Sequence, residues 1–277
     1  MNDTVHINPL FSSLQHLLVE HPTVLHFSWT QGQTLGSSPL FLTITVVSYL
    51  SLTLFLSNNP IFSVAPSLLR RITAFHNFIL IIISLIMAVG GTLSIFTQAP
   101  SLHYIICFPT NTPPKGPLFF WSYMFYLSKI YEYADTLLII MSKSIKRLSF
   151  LHVYHHATVV IMCYVGLHTA QSSFPLVLVT NCLVHVFMYW YYLLCSLGLR
   201  PKWKRLVTDC QILQFMASFV MMAWMFYSHF TGSGCSGIWG SCFSAAFIST
   251  LLVLFVDFHS KSYSAKIKVG DLCVFLL

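Results

Sequence analysis

Three imidazoles crowd into five positions of the stretch LHVYHHAT, where His152, His155 and His156 stand at i, i+3 and i+4. On an α-helix that spacing confines them to an arc of about 100°, a single face. An imidazole titrates near about pH 6.5, so such a face can supply base and nucleophile at neutral pH, or neutral rings to a metal. Three further clusters accompany it. KIYEYADT sets Lys129, Glu132 and Asp135 at i, i+3 and i+6 with Thr136 beside them, and NCLVHVFMYWYY aligns Asn181, His185, Met188 and Tyr192, flanked by Tyr189. TDCQILQF places Thr208, Gln211 and Gln214 on one face. Each cluster also has a plain structural reading: an ion pair for Lys129 and Glu132, aromatic and methionine packing for the tyrosine stripe, interhelical hydrogen bonding for the glutamines.

The elements that hold these residues are apolar. Of 277 residues 56% are hydrophobic and 8% charged, with a mean hydropathy of +0.74. That leaves too little polar surface for a soluble globule and specifies an all-α integral membrane protein. Seven windows of about 20 residues have the length a helix needs to cross the hydrocarbon layer. They are expected at about 39–57, 73–97, 117–141, 150–168, 174–197, 206–229 and 238–259. Ionisable groups in such spans are costly, and each is a functional candidate. Twelve of the 14 basic residues lie in alternate loops and the tail, the exceptions being Lys115 and the intramembrane Lys129. Basic loops stay in the cytosol, so the N-terminus is expected in the lumen or outside the cell and the C-terminus in the cytosol.

This topology predicts one polytopic domain over residues 1–277, with a lumenal segment 1–38 and a cytosolic tail 260–277. Residues 1–30 lack the basic start of a cleavable signal peptide, so the first span is expected to direct insertion. The net charge of +7 follows from the loops. No aromatic-basic module for nucleic acid accompanies it, which leaves anionic head groups or an anionic substrate at the basic face. There is no CxxC pattern. Cys107, Cys235 and Cys242 fall in loops on the oxidising side; Cys107–Cys235 is the expected disulfide, with Cys242 as the competing partner and free thiols as the alternative.

Asp135, Thr136, His152, His155, His156 and Gln211 fall in the cytosolic half of their spans, with Asn181 and His185 nearer the midplane. The expected object is a chamber with a basic rim, a polar mouth and an apolar interior, suited to a substrate with an anionic head and a long hydrocarbon tail. Three readings compete. A membrane di-iron desaturase or hydroxylase needs ligands from several histidine boxes, and here there is one box plus His185, while His76, His229 and His259 each stand alone. A metal-free site uses the imidazoles themselves, oriented by Glu132 and Asp135. A seven-helix receptor fits the topology but not the concentration of acid, base and amide groups.

At these residues the sequence resembles the ELO-type fatty acid elongases, the very-long-chain 3-oxoacyl-CoA synthases. The family's KxxExxDT is matched by Lys129, Glu132, Asp135 and Thr136, and its HxxHH by His152, His155 and His156. NxxHxxMYxYY is matched by Asn181, His185, Met188, Tyr189, Tyr191 and Tyr192, and TxxQxxQ by Thr208, Gln211 and Gln214. The resemblance implies seven transmembrane helices, six of them forming an inverted barrel around an acyl tunnel, in the endoplasmic reticulum membrane. It implies decarboxylative condensation of malonyl-CoA with a long-chain acyl-CoA, without metal or other cofactor. By the same analogy His155 attacks the acyl thioester, His185 positions the malonyl unit, and His152 and His156 orient and handle protons. Lys129, Glu132, Asp135, Thr136, Asn181, Tyr189, Tyr192, Gln211 and Gln214 would then line the substrate. The reductases and dehydratase of the elongation cycle are the implied partners, along with membrane lipid and a second copy of the chain. Two departures stand out. Where relatives often carry an arginine after KxxExxDT this chain has MSKS, so the coenzyme A contact falls to Lys143, and the end KIKVGDLCVFLL lacks a dilysine retrieval signal.

Overall fold

The computed structural model describes residues 9–59 and 64–264. Residues 1–8 and the tail beyond Ser264, with Lys266, Lys268 and the end read as lacking a retrieval signal, lie outside the described residues. Eight helices carry the architecture: α1 (Pro39–Asn58), α2 (Pro66–Gln98), α3 (Pro117–Tyr131), α4 (Tyr133–Met141), α5 (Phe150–His168), α6 (Phe174–Ser196), α7 (Lys204–Thr231) and α8 (Ile238–Ser264). Among the described residues there is no β-strand, only an isolated antiparallel bridge between Ser28 and Lys115.

Local sequence places the helix starts. Ser38 caps α1 by accepting the Phe41 N–H at 3.1 Å, with Pro39 in the first turn. Ser149 caps α5 by accepting the His152 N–H at 3.2 Å, which pins the first turn of the histidine face. Proline also begins α2 and α3, and lies in the first turn of α6. Because Pro66 opens α2 earlier than expected, Arg70 and Arg71 lie within that helix and not in the loop before it. The Arg70 Nε donates to the Ser196 carbonyl at 2.6 Å, satisfying a free carbonyl at the end of α6. Lys204 and Arg205 likewise open α7.

Six helices, α1, α2, α5, α6, α7 and α8, are long and apolar enough to cross a membrane, and the protein is a multi-pass membrane protein. The remaining expected span, 117–141, is divided. Glu132, with ψ at −11°, separates the 15-residue α3 from the 9-residue α4, and the Asp135 N–H bonds the Glu132 carbonyl at 3.0 Å in a tightened turn. Neither piece is long enough to span alone.

Packing runs in order from α2 to α6, α7, α8, α5 and α3, and α3 returns to α2; α3 also touches α6. Helix α1 leans on α5 and α4 from outside, and only 17% of its most apolar window is covered by the chain, against 50% in α2. Its outer face is left to lipid.

The end away from the basic loops is closed by contacts of which the sequence announced only the Cys107–Cys235 disulfide. Residues expected only as a lumenal segment fold back on the bundle. Trp121 Nε1 donates to the Leu18 carbonyl at 3.0 Å, and the hydroxyls of Tyr126 and Tyr164 donate to the carbonyls of Gly36 and Ser37, each at 3.1 Å. Trp29 is buried against Tyr123, Tyr126 and Tyr164. At the same end a disulfide joins Cys107 and Cys235, their Cα atoms 4.9 Å apart, while Cys242 is an exposed free thiol.

Glycine permits close packing at two successive positions of α2. At Gly90 of α2 the Trp121 indole of α3 occupies the place a Cβ would take, and at Gly91 the side chains of Val179 and Leu178 lie 3.0 and 3.1 Å from that position. Gly90→Val should therefore overpack the α2–α3 contact and cost about 1–3 kcal/mol. The expected result is a melting midpoint lowered by several degrees in detergent, against no change for Val253→Ala on the exposed face of α8. Equal midpoints would show that the indole can move aside freely.

Candidate active site

The turn that divides α3 from α4 is where the chain brings its charges together. Lys129 is buried, and its Nζ lies 2.8 Å from Glu132 Oε1, 3.1 Å from Asn181 Oδ1 and 3.3 Å from His185 Nδ1. It also stands over the Phe125 ring at 4.5 Å. Glu132 Oε1 is in turn 3.4 Å from His185 Nδ1. One cation thus ties the broken span to α6 through both polar members of the Asn181 stripe. Removing such a partner from a buried pair leaves an uncompensated charge, an effect of about 3–5 kcal/mol.

One turn on, Asp135 is buried with a partner on each oxygen. His76 Nε2 of α2 lies 2.8 Å from Oδ1, and the Tyr189 hydroxyl of α6 donates to Oδ2 at 2.8 Å. The other nitrogen of His76 is 3.3 Å from the Tyr131 hydroxyl. Beside it, Thr136 Oγ1 is 2.8 Å from His152 Nε2 and 3.1 Å from the Tyr49 hydroxyl of α1. Tyr49 also stacks on Tyr133 at 3.9 Å between ring centroids.

The three histidines of α5 share a face, as their spacing predicts, but have different neighbours. His152 faces Thr136 and sits 4.4 Å from the His156 ring. His156 is buried near Tyr49, its centroid 6.5 Å away. Of the three, His155 alone borders a cavity lined by α3, α5, α6, α7 and α8. Asn181 and Gln214 join it there, and the rest of the wall is apolar apart from Ser218, with Phe125, Val159, Met162, Phe215, Phe247 and Leu251 contributing. His155 Nδ1, His156 Nδ1 and Glu132 Oε2 are buried without a hydrogen-bond partner. Buried polar atoms left in this state are uncommon and call for a ligand or a chemical role.

The TxxQxxQ residues disperse among three partners. Gln214 accepts from Asn181 Nδ2 at 3.4 Å, Gln211 Nε2 lies 3.3 Å from Met188 Sδ, and Thr208 Oγ1 is 3.2 Å from the Tyr263 hydroxyl. Tyr192 is buried in the aromatic cluster beside Tyr189 and Tyr191. Lys143 is exposed in the loop after α4, with φ at 55°, and does not join the cluster. One expectation is corrected outright: His76, His229 and His259 do not stand alone. His76 meets Asp135, His259 Nε2 meets Asp209 Oδ1 at 2.9 Å, and His229 Nδ1 accepts the Cys235 N–H at 2.8 Å. His76 is therefore a site residue that sequence reasoning missed. The available signal was its place within an apolar span, near its start, where a lone ionisable group needs a partner. Among the described residues no group of three or more His, Cys, Asp or Glu side chains is arranged to hold a metal ion.

Comparison with known proteins identifies the family. Residues 34–270 match the family described as ELO, the GNS1/SUR4 family. The chain is 33% identical over 255 residues to fatty acid elongase A of Dictyostelium discoideum, covering 88% of this chain and 90% of that protein. It is 36% identical over 207 residues to a putative fatty acid elongase of the same organism, covering 73% and 69%. To fatty acid elongase 3-like of Arabidopsis thaliana it is 25% identical over 278 residues, covering 92% and 93%. With its charged turn, histidine face and amide pair all lying within the matched residues, the chain belongs to the ELO family of fatty acid elongases.

Proposed function

We propose that the protein condenses malonyl-CoA with a long-chain acyl-CoA to give 3-oxoacyl-CoA, coenzyme A and carbon dioxide. The observation that carries this reading is the cavity wall: one histidine with an unpaired buried nitrogen stands beside two amides, and nearly everything beyond them is hydrocarbon. Such a cavity suits a thioester carbonyl at its polar end and an acyl chain along its length.

The chemistry balances without a metal or redox cofactor. A His155 nitrogen attacks the thioester carbonyl; the carbon–nitrogen bond forms, the carbon–sulfur bond breaks, and the imidazole proton leaves with the coenzyme A thiolate. Malonyl-CoA then loses carbon dioxide, and the electron pair of the broken carbon–carbon bond attacks the acyl-imidazole. As the carbon–nitrogen bond breaks, His155 regains a proton from water. His185, held by Lys129, is assigned to the malonyl unit, and His152 and His156 to orientation and proton handling. The 3-oxo product must next be reduced, dehydrated and reduced again, so reductases and a dehydratase are the expected partners, and a homo-oligomer is compatible with the fold.

The cyclic packing of α2, α6, α7, α8, α5 and α3 supports the inverted-barrel reading, with the broken α3–α4 pair as one of the six ring members and α1 outside the ring as the seventh span. We place the protein in the endoplasmic reticulum membrane with the N-terminal segment in the lumen and Lys143 at the cytosolic rim, where a phosphate of coenzyme A would meet it.

Three measurements test this reading. Membranes holding the protein, given labelled malonyl-CoA and a panel of acyl-CoAs, should yield products two carbons longer; no extension with any primer would remove the enzyme assignment. Purified protein given acyl-CoA alone should release coenzyme A and gain the mass of one acyl chain, and His155→Ala should abolish both. An acylated His155→Ala protein would move the nucleophile elsewhere, with His185 next to test. For topology, a thiol placed at Ser144 should react with an impermeant reagent from the cytosolic side and one at Ser101 should not, in a protein lacking Cys195, Cys210, Cys242 and Cys273; the reverse pattern would invert the orientation.

A further inference from the structure

The hydrogen bonds around Lys129 determine which way the neighbouring groups point, and that has a consequence inside the cavity. An ammonium has three N–H donors and no acceptor. Here it has three acceptors within reach: Glu132 Oε1 at 2.8 Å, Asn181 Oδ1 at 3.1 Å and His185 Nδ1 at 3.3 Å. The amide of Asn181 must then turn its oxygen to the lysine and its NH2 away from it. That NH2 donates to Gln214 Oε1 at 3.4 Å, so the Gln214 oxygen is also occupied and its own NH2 is left as a donor. Both amides border the cavity alongside His155. Polarity therefore runs one way, from the ammonium through Asn181 to Gln214, and ends in N–H groups.

We infer that Asn181 and Gln214 form the oxyanion site of the condensation, that their amide N–H groups bind the acyl carbonyl oxygen, and that Lys129 is the positioning residue that sets their polarity. This rests on the reaction given above. As the His155 nitrogen adds to the carbonyl carbon, the carbonyl electron pair moves onto oxygen; donors already aimed at that oxygen stabilise the charge without reorganising. When the carbonyl re-forms, the coenzyme A thiolate leaves with the imidazole proton. The donors return to their starting state, so the site consumes nothing.

The experiment uses full-length protein in detergent and an acyl-CoA labelled with ¹³C at the carbonyl. In single turnover with excess enzyme, Gln214→Met, which keeps the length of the side chain but removes its donor, should slow coenzyme A release by about 10²-fold with KM for acyl-CoA within about twofold. In a His155→Ala background, which holds the thioester unreacted, infrared difference spectra should show the labelled carbonyl at lower frequency than in free acyl-CoA. Adding Gln214→Met should reverse much of that displacement, and adding Lys129→Met, which frees the Asn181 amide to flip, should do the same. A merely structural role for either residue would leave the carbonyl frequency of bound thioester unmoved. An unchanged frequency and unchanged release rate in Gln214→Met would overturn the oxyanion assignment while leaving the elongase reading intact. Failure of the unsubstituted protein to release coenzyme A from any acyl-CoA would overturn both.

Discussion

A lysine ammonium in the middle of an apolar span has to be surrounded by acceptors, because lipid supplies none and an uncompensated charge there is costly. Lys129 meets that requirement with a carboxylate from its own turn and two groups from α6. Satisfying it draws α6 against the α3–α4 junction, selects the direction of the Asn181 amide, and brings Gln214 of α7 into the same network. A second buried carboxylate, Asp135, does the equivalent for α2 and α6 through His76 and Tyr189. Two adjacent turns of one broken helix thus organise the polar interior of the bundle.

The break at Glu132 belongs to the same constraint. A tightened turn brings Glu132 and Asp135 into contact with different partners: Lys129 and His185 on one side, His76 and Tyr189 on the other. Tight turns inside helices often accompany functional sites, because they re-aim side chains that regular geometry would hold in register. Here the turn also marks a boundary between wall types. Near it α3 presents Lys129, while Phe125, one turn earlier, already belongs to the apolar cavity wall.

Opposite demands shape the far end of the bundle. There the Cys107–Cys235 disulfide, the seryl contacts of Ser172 with Ser236 and Phe108, and the aromatic seat of Trp29 fasten loops and the N-terminal segment to α3 and α5. None of these contacts reaches the charged turn. A tied end and a polar interior leave the apolar cavity between them, bordered by helices whose separation is set at both ends.

Much of this was legible in the amino-acid order. Hydrocarbon thickness dictates the length of apolar runs, so six of the spans could be placed to within a few residues, apart from the early start of α2. Helical periodicity put His152, His155 and His156 on one face, and Lys129 beside Glu132, because those relations are local. What periodicity could not state is which neighbouring helix each face meets. That His155 borders the cavity while His152 turns to Thr136, that His76 pairs with Asp135 59 positions away, and that Gln214 rather than Gln211 joins Asn181 are all decided by interhelical packing. The folded-back N-terminal segment belongs with them, since its bonds to Trp121, Tyr126 and Tyr164 span 90 to 127 positions. Sequence by itself determined where six of the spans lie and which polar residues share a helix face, through chain-local geometry and the cost of burying charge. Only the tertiary structure decided the partners, because a hydrogen bond in lipid is formed by whichever donor and acceptor the packed helices bring within about 3 Å.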